Sequence, residues 1–460
     1  MRHHVLRWLV PLALLNGLLF FTLLPPWQHY DEPPHFEYAA LIAYHGGIPT
    51  AQAVDVALRR EIAASMYRHD FYPPGVVPDL FTEVPAQVGF GQTVHPPLYY
   101  ALAALPIRLT RFLPIEVQLY AARGLSLFFY VFSIVAAWRI AVVATPEEPR
   151  VHVALPLLLL ATPAYADLMT AVNNDVLVNF GAIATLLALA YLIRDGLRPL
   201  PLVLLGCALT VTVLAKRTGL VFLPIAALGL FWGWRRTPFR PREQGIIAAA
   251  AVAAAAILGV ASLQIGRSAE GALTLELRPW LQALDTTYLR LNLARWLNQA
   301  GALVALAERL PELTIVVFTN FWWSFGWGQI RLGATADWIM AGLVLSCMIG
   351  LALRAQQNRG HLEVWEQRWI WLLFGCVVLG WLSLAVRFGA SLAAGQESSA
   401  YVPRGRYIFT MMLPHLWLLA LGWQGLMPAA WRHRSLFILP AIFAAGTLAA
   451  WIVLFNYYWR

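Results

Sequence analysis

The sequence predicts an all-α polytopic membrane protein, and three observations carry that prediction. Of the 460 residues, 60% are hydrophobic and only 12% are charged, with a mean hydropathy of +0.62. A soluble chain would carry about twice that charged fraction. Apolar runs also recur along the chain, each matching the ~20 residues a helix needs to cross the hydrocarbon core of a bilayer. Short clusters of arginine punctuate them, as in "GWRRTPFRPRE" with Arg235, Arg236, Arg240 and Arg242. The net charge of +9 does not indicate nucleic acid, because the basic residues are dispersed and no soluble domain carries a groove for it. The basic set is Arg-dominated, with Lys216 the single lysine. Cys207, Cys347 and Cys376 all fall inside apolar runs, where they read as packing residues and not as a disulfide or metal framework.

The first run, Trp8 to Leu24, follows a basic start (Arg2, Arg7) and ends at Pro25-Pro26-Trp27 with no small-residue cleavage site, so it reads as a retained span. Further spans are expected near 119–142, 151–169, 176–194, 200–215, 218–234, 245–265, 336–354, 369–388, 406–425 and 436–456, about eleven crossings in all. The arginine clusters at 194–198, 235–242, 354–361 and 431–434 all fall on one side of this arrangement, which the positive-inside bias makes cytoplasmic. The N-terminus is then inside, and a long external loop, 26–118, follows the first span. The run "HPPLYYALAALPIRLTR" at 95–111 has only about 11 apolar residues before Arg108, too few to cross, so it is expected as a membrane-surface or re-entrant helix. "TIVVFTNFWWSFGWGQIRL" at 314–332 is expected as an aromatic interfacial element within a second external loop, 266–335. Residues 1–460 form one integral membrane domain.

Both ends of the expected chemistry lie on the external side. "DEPPHFEYAALIAYHGG" sets Asp31 and Glu32 at the start of a helix, with Pro33 and Pro34 in its first turn and Gly46-Gly47 at its end. "TAVNNDVLVNF" sets Asn173, Asn174 and Asp175 at the start of another span. Either carboxylate could be a plain helix cap. The cations are more telling. Arg123, Lys216, Arg217, Arg404 and Arg406 sit at external ends of spans against the charge bias, where unpartnered cations are costly. They either reach out to lipid phosphates or form a pocket for a phosphate, which arginine grips with planar, paired donors. Carboxylates and phosphate-binding cations on one face point to chemistry on a phosphorylated lipid. His29, His35, His69 and His95 lie in the same loop, and a metal site joining His35 to Asp31 and Asp175 is an open alternative, although no compact ligand spacing supports it.

In order, "YDEPPHFEYA", "HGGIP", "HPPLYY", "ARGLSL", "NND", "AKRTG", "FWWSFGWG" and "GRYIF" resemble the GT-C-fold integral membrane glycosyltransferase clan over nearly the whole chain. The resemblance is nearest to a bacterial branch and more distant to protein O-mannosyltransferases and lipid A aminoarabinose transferases. It implies a GT-C-like fold and an inverting transfer of a sugar (a hexose or a pentose) from a polyprenyl-phosphate-linked donor to a hydroxyl or amine of a glycan, lipid or protein acceptor. The reaction would take place on the extracytoplasmic face of the cell membrane, in cell-envelope glycan or glycoconjugate assembly. By match to the family pattern, Asp31 is the expected base, with Glu32 orienting the acceptor or supporting Asp31. Asp175, with Asn174 and His35, would meet the sugar, the acceptor or a divalent cation. Lys216, Arg406 and Arg123 would hold the donor phosphate. A polysaccharide polymerase or ligase is the enzymatic alternative. A transporter or lipid-linked sugar flippase would instead show internal repeats and charges at mid-bilayer, and the sequence has no convincing repeat.

Overall fold

In hydrocarbon a helix is the one open-chain structure that satisfies its own backbone, so the apolar runs fold as helices. The computed structural model describes residues 2–50, 53–80, 86–89, 91–238, 294, 302–357, 362–396, 398 and 401–460. Helix α1 spans Arg2–Leu23, followed by α2 (Glu32–His45), α3 (Val56–Arg68), α4 (Leu98–Leu109) and α5 (Ile115–Ala144). Next come α6 (Val151–Leu160), α7 (Pro163–Met169), α8 (Asn174–Asp195), α9 (Pro199–Ala215) and α10 (Phe222–Arg236). The later part holds α11 (Ala302–Trp322), a two-residue hairpin of β1 (Ser324–Phe325) and β2 (Ile330–Arg331), α12 (Ala334–Gln357), α13 (Val364–Ala393), α14 (Met412–Leu426) and α15 (Ile438–Tyr458).

Among the described residues, seven helices are long and apolar enough to cross a membrane, or eight if the bent pair α6–α7 is one span. The described residues thus show fewer than the expected eleven, one of which lies outside them. Helix α9, at 17 residues, falls short, and the run at 406–425 divides into a 3-10 turn (Gly405–Met411) and the 15-residue α14. The span expected at 245–265 and most of the loop expected at 266–335 lie outside the described residues. The short helix expected at 95–111 forms as the 12-residue α4 and packs against α2 and α5. The aromatic element at 314–332 differs from expectation. Its first half ends α11 and the rest forms the hairpin, with Trp322, Trp323 and Phe325 buried. Trp322 and Trp323 pack on Phe443 of α15, so these rings are core, not an interfacial belt.

Two devices hold the bundle together. Helices α6 and α7 meet at a 66° bend, where Pro163 can neither donate a hydrogen bond nor continue the preceding helix. The carbonyls freed there are satisfied from three other helices. Asn16 Nδ2 (2.9 Å) and the Tyr130 hydroxyl (3.1 Å) donate to Leu160, and Thr447 Oγ1 donates to Ala161 at 2.7 Å. Helices α12 and α14 instead touch backbone to backbone. A Cβ on Gly350 would lie 2.0 Å from the Gly422 carbonyl oxygen, and one on Gly422 would lie 2.0 Å from that of Cys347. Small residues at a crossing give this approach its packing energy.

The direction of the helices also sorts the charges. Asp175 begins α8, Lys216 follows α9 and Arg406 precedes α14, whereas Arg194, Arg235, Arg354 and Arg432 lie at or just beyond the far ends of α8, α10, α12 and α14. One end of the bundle thus carries the candidate site and the other the arginine clusters.

Candidate active site

The turn between α1 and α2 is unusual before any partner is considered. Trp27 (φ 74°) and Asp31 (φ 51°) both occupy the left-handed region, which a bulky side chain rarely adopts and which costs about 1–3 kcal/mol per residue. Such strain persists only where the surroundings over-determine it. Here they do. Glu32, fully buried, accepts from the Trp27 amide (3.1 Å) and from the Val172 amide (3.3 Å), and it is gripped by Arg123 through Nε (2.8 Å) and Nη2 (2.6 Å). Arg123 also donates to the carbonyls of Phe21 (3.0 Å), Leu24 (2.8 Å) and Pro25 (2.9 Å). Those five bonds use all five guanidinium donors. Arg123, expected as a phosphate ligand, has none left over. Helix α5 begins at Ile115, so Arg123 lies two turns inside it and not at a span's edge. Glu32, expected beside the acceptor, faces inward as the other half of this clamp.

Asp31 points the other way. It stands at the N-cap of α2 but makes no capping bond through its side chain, so it is not a plain helix cap. Its Oδ2 instead accepts from Nη2 of Arg406, and its side chain remains 30% exposed. Arg406 lies over the ring of Tyr30 at 4.2 Å and beside Tyr407 at 5.4 Å, while its Nε and Nη1 are buried with no hydrogen-bond partner among the described residues. Gly405 is what lets the 3-10 turn come this close. A Cβ there would sit 2.5 Å from the Val317 carbonyl oxygen and 2.6 Å from the Phe321 nitrogen, inside α11. Lys216 and Arg387 also face Tyr407, at 5.9 and 4.3 Å from its ring. Lys216 in turn donates to Asp175 Oδ1 at 2.5 Å, leaving Asp175 Oδ2 buried and unpartnered among the described residues.

Asp175 is held in place by its neighbours. Asn173 caps α8, its side chain accepting from the Asp175 amide at 2.9 Å and donating to the Tyr30 carbonyl at 3.0 Å. Asn174 donates from Nδ2 to the Ala215 carbonyl (3.3 Å), next to Lys216, and its Oδ1 is buried with no hydrogen-bond partner among the described residues. His35 is buried, with Nδ1 2.8 Å from the Tyr100 hydroxyl, and its ring stacks on His95 and Tyr100. Among the described residues, no three His, Cys, Asp or Glu side chains gather closely enough to hold a metal. The ammonium of Lys216 takes the place beside Asp175 that a cation would need. Among the described residues, the donor set at this site does not fit a divalent cation.

Asp167 and Arg387 were absent from the sequence-derived site. Asp167 and His29 are both buried and lie 2.6 Å apart (Oδ1 to Nδ1), and the Gly326 amide of the hairpin donates to Asp167 Oδ2 at 3.2 Å. Asp167, Tyr30, Arg404 and Arg406 together line a small cleft. Both residues carried a usable signal, since each is an ionisable group inside an expected span, at 151–169 and 369–388.

Three imidazoles flank the site in neutral form. Burial, aided by the Arg123 charge, holds His29 well below its usual value. Burial and Lys216 do the same for His35 and bring His95 down to about 4. Between pH 4 and 6.5 the unfolded chain therefore binds more protons at these positions than the folded one, so stability falls as the pH drops through that window. For His95 alone the loss approaches about 3 kcal/mol at pH 4. Thermal unfolding in detergent should show a lower midpoint at pH 5 than at pH 7.5. His95→Gln should flatten part of that slope, and an unchanged slope in this variant would contradict the assignment.

No family model and no curated protein matches the sequence. Among solved structures, the oligosaccharyltransferase of Archaeoglobus fulgidus, determined with a tethered acceptor peptide containing the NVT sequon, matches with a TM-score of 0.50 at 12% identity. The match covers 97% of this chain and 55% of that protein, so the chain spans about half the length of its structural neighbour. The chain has the GT-C fold.

Proposed function

We propose that the chain is an inverting membrane glycosyltransferase that transfers a sugar from a polyprenyl-phosphate-linked donor to an acceptor hydroxyl or amine. The observation that carries this reading is the meeting of Asp31, Arg406, Lys216 and Asp175, from four separate parts of the sequence, at one end of a GT-C bundle. That end lies opposite the arginine clusters, which supports an extracytoplasmic site and a role in building envelope glycans or glycoconjugates. The structural neighbour is described with an acceptor peptide, which keeps protein beside glycan and lipid among the acceptor classes.

The chemistry divides between the two sides of the site. Asp31 holds Arg406 with Oδ2 and turns Oδ1 toward the acceptor. Oδ1 takes the acceptor proton while the acceptor's lone pair attacks the anomeric carbon from the face opposite the phosphate. The bond from that carbon to the phosphate oxygen breaks, its electron pair leaves with polyprenyl phosphate, and the configuration at the carbon inverts. The free Nε and Nη1 of Arg406 and the ammonium of Lys216 meet the charge that grows on the departing phosphate, so they favour the transition state over the ground state. A phosphate leaves without protonation, so one carboxylate base suffices. Asp175 fixes Lys216 and offers its free Oδ2 to a sugar hydroxyl.

The test uses the full chain reconstituted with polyprenyl-phosphate sugars, the glycosylated product being read by mass spectrometry. Arg406→Gln should lower turnover by about 10²–10³-fold, the usual cost of deleting one preorganised donor to a developing oxyanion. Lys216→Met should act in the same direction. Wild-type turnover in both variants would remove the phosphate site and the reading with it.

A further inference from the structure

At the opposite end of the bundle, helices α12, α13 and α14 enclose a groove of about 690 Å³. Met348, Leu351, Ile370, Trp371, Phe374 and Leu418 form its apolar walls, and Arg354 lines it as well. Arg354 donates from Nη1 to Gln424 Oε1 at 2.6 Å, and its other close partner, Glu148, stands 3.9 Å from Nη2. A second cation lies within electrostatic reach. Arg432 donates to Gln357, which is on the Arg354 face of α12, at 2.7 Å. The Nε atoms of Arg354 and Arg432 are both buried with no hydrogen-bond partner among the described residues. The other nearby carboxylate, Glu366, is engaged by the Glu363 amide at the start of α13. The two arginines thus lie within electrostatic reach of one another, each with a donor unpaired among the described residues, and Arg354 lines the apolar groove.

We propose that this groove binds one anionic phospholipid, its phosphodiester on Arg354 and Arg432 and an acyl chain in the channel. Guanidinium donors match phosphate oxygens in geometry and charge, and the wall residues match a hydrocarbon tail. A neutral zwitterionic lipid would bring its own ammonium toward the arginine pair and bind more weakly. Gly350 and Gly422, where α12 crosses α14, are next in sequence to the lining residues Leu351 and Leu421, so a bound lipid braces the contact between these two helices. The site is at the far end of the bundle from Asp31, and its test does not depend on sugar transfer.

The full chain, delipidated in neutral detergent, would be titrated with phosphatidylglycerol, with phosphatidylcholine of the same acyl chains, and with inorganic phosphate. Retention is read by native mass spectrometry and the unfolding midpoint by a thermal shift. Phosphatidylglycerol should be retained at least tenfold more tightly than phosphatidylcholine and raise the midpoint, while phosphate alone should do neither. Arg432→Gln should abolish the preference between the two lipids. Ala352→Trp, an exposed position lining the channel, should reduce retention while leaving both arginines in place. Equal retention of the two lipids by the wild type, an undiminished preference in Arg432→Gln, or equal protection by inorganic phosphate would each overturn the proposal.

Discussion

Asp31→Asn abolishes sugar transfer while the protein still inserts, folds and survives detergent extraction: this is the expected result at the centre of the site. Removing a positioned general base costs about 10²–10⁴-fold in rate. The substitution is chosen for its backbone as well as its chemistry. Asp31 holds a left-handed conformation, and asparagine tolerates that region better than nearly any other non-glycine residue, so the turn keeps its shape. The amide oxygen still accepts from Arg406, and only the negative charge and the basic oxygen are lost. Asp31→Ala would confound the two effects by adding backbone strain. Transfer within tenfold of the wild type in a well-folded Asp31→Asn protein would sink the role given to Asp31.

The adjacent residue should behave in the opposite way. Glu32→Gln or Arg123→Met leaves one member of a fully buried ion pair without its partner, which costs about 3–5 kcal/mol. The loss should appear as poor membrane yield and a much lower unfolding midpoint, before any question of turnover. Replacing both, as in Glu32→Leu with Arg123→Leu, removes the orphaned charge and should recover part of the midpoint. The strained turn at Trp27 and Asp31 would still lack its anchor, so activity should remain low even where folding recovers. Single variants that unfold at the wild-type temperature would show that the pair does not hold the turn. Neighbours in sequence, Asp31 and Glu32 are thus expected to separate into chemistry and scaffold.

That separation marks the limit of what the sequence discloses. The helical membrane fold and the end of the bundle at which Asp31, Asp175, Lys216 and Arg406 gather follow from hydropathy and charge placement, whereas the roles expected of those four residues come with the resemblance to the GT-C clan. The assignment of Arg123 to a span's edge fails because the span is expected to begin at 119; the helix begins at Ile115, about one turn earlier, which sets Arg123 two turns inside it. Glu32 fails because adjacent residues at a helix start diverge by roughly 100°, and which one faces inward depends on what packs there. The aromatic run at 321–327 is ambiguous between an interface and a core, since both favour tryptophan; only the packing on Phe443 decides it. Asp167 was legible as an ionisable residue within an apolar run, but its partner His29 lies 138 positions earlier, beyond any local pattern.

The pairing of Asp31 with Arg406 spans 375 positions, whereas Glu32 meets Arg123 across 91 and Asp175 meets Lys216 across 41. During synthesis the shorter closures become available first, and they can set the early helices before the last ones have left the ribosome. Asp31 and Arg406 can meet only once the helices between them have been inserted. A product stalled before Arg406 would therefore carry Asp31 in a correctly braced turn without its arginine partner. Insertion through Arg406 is thus the step that completes the candidate site.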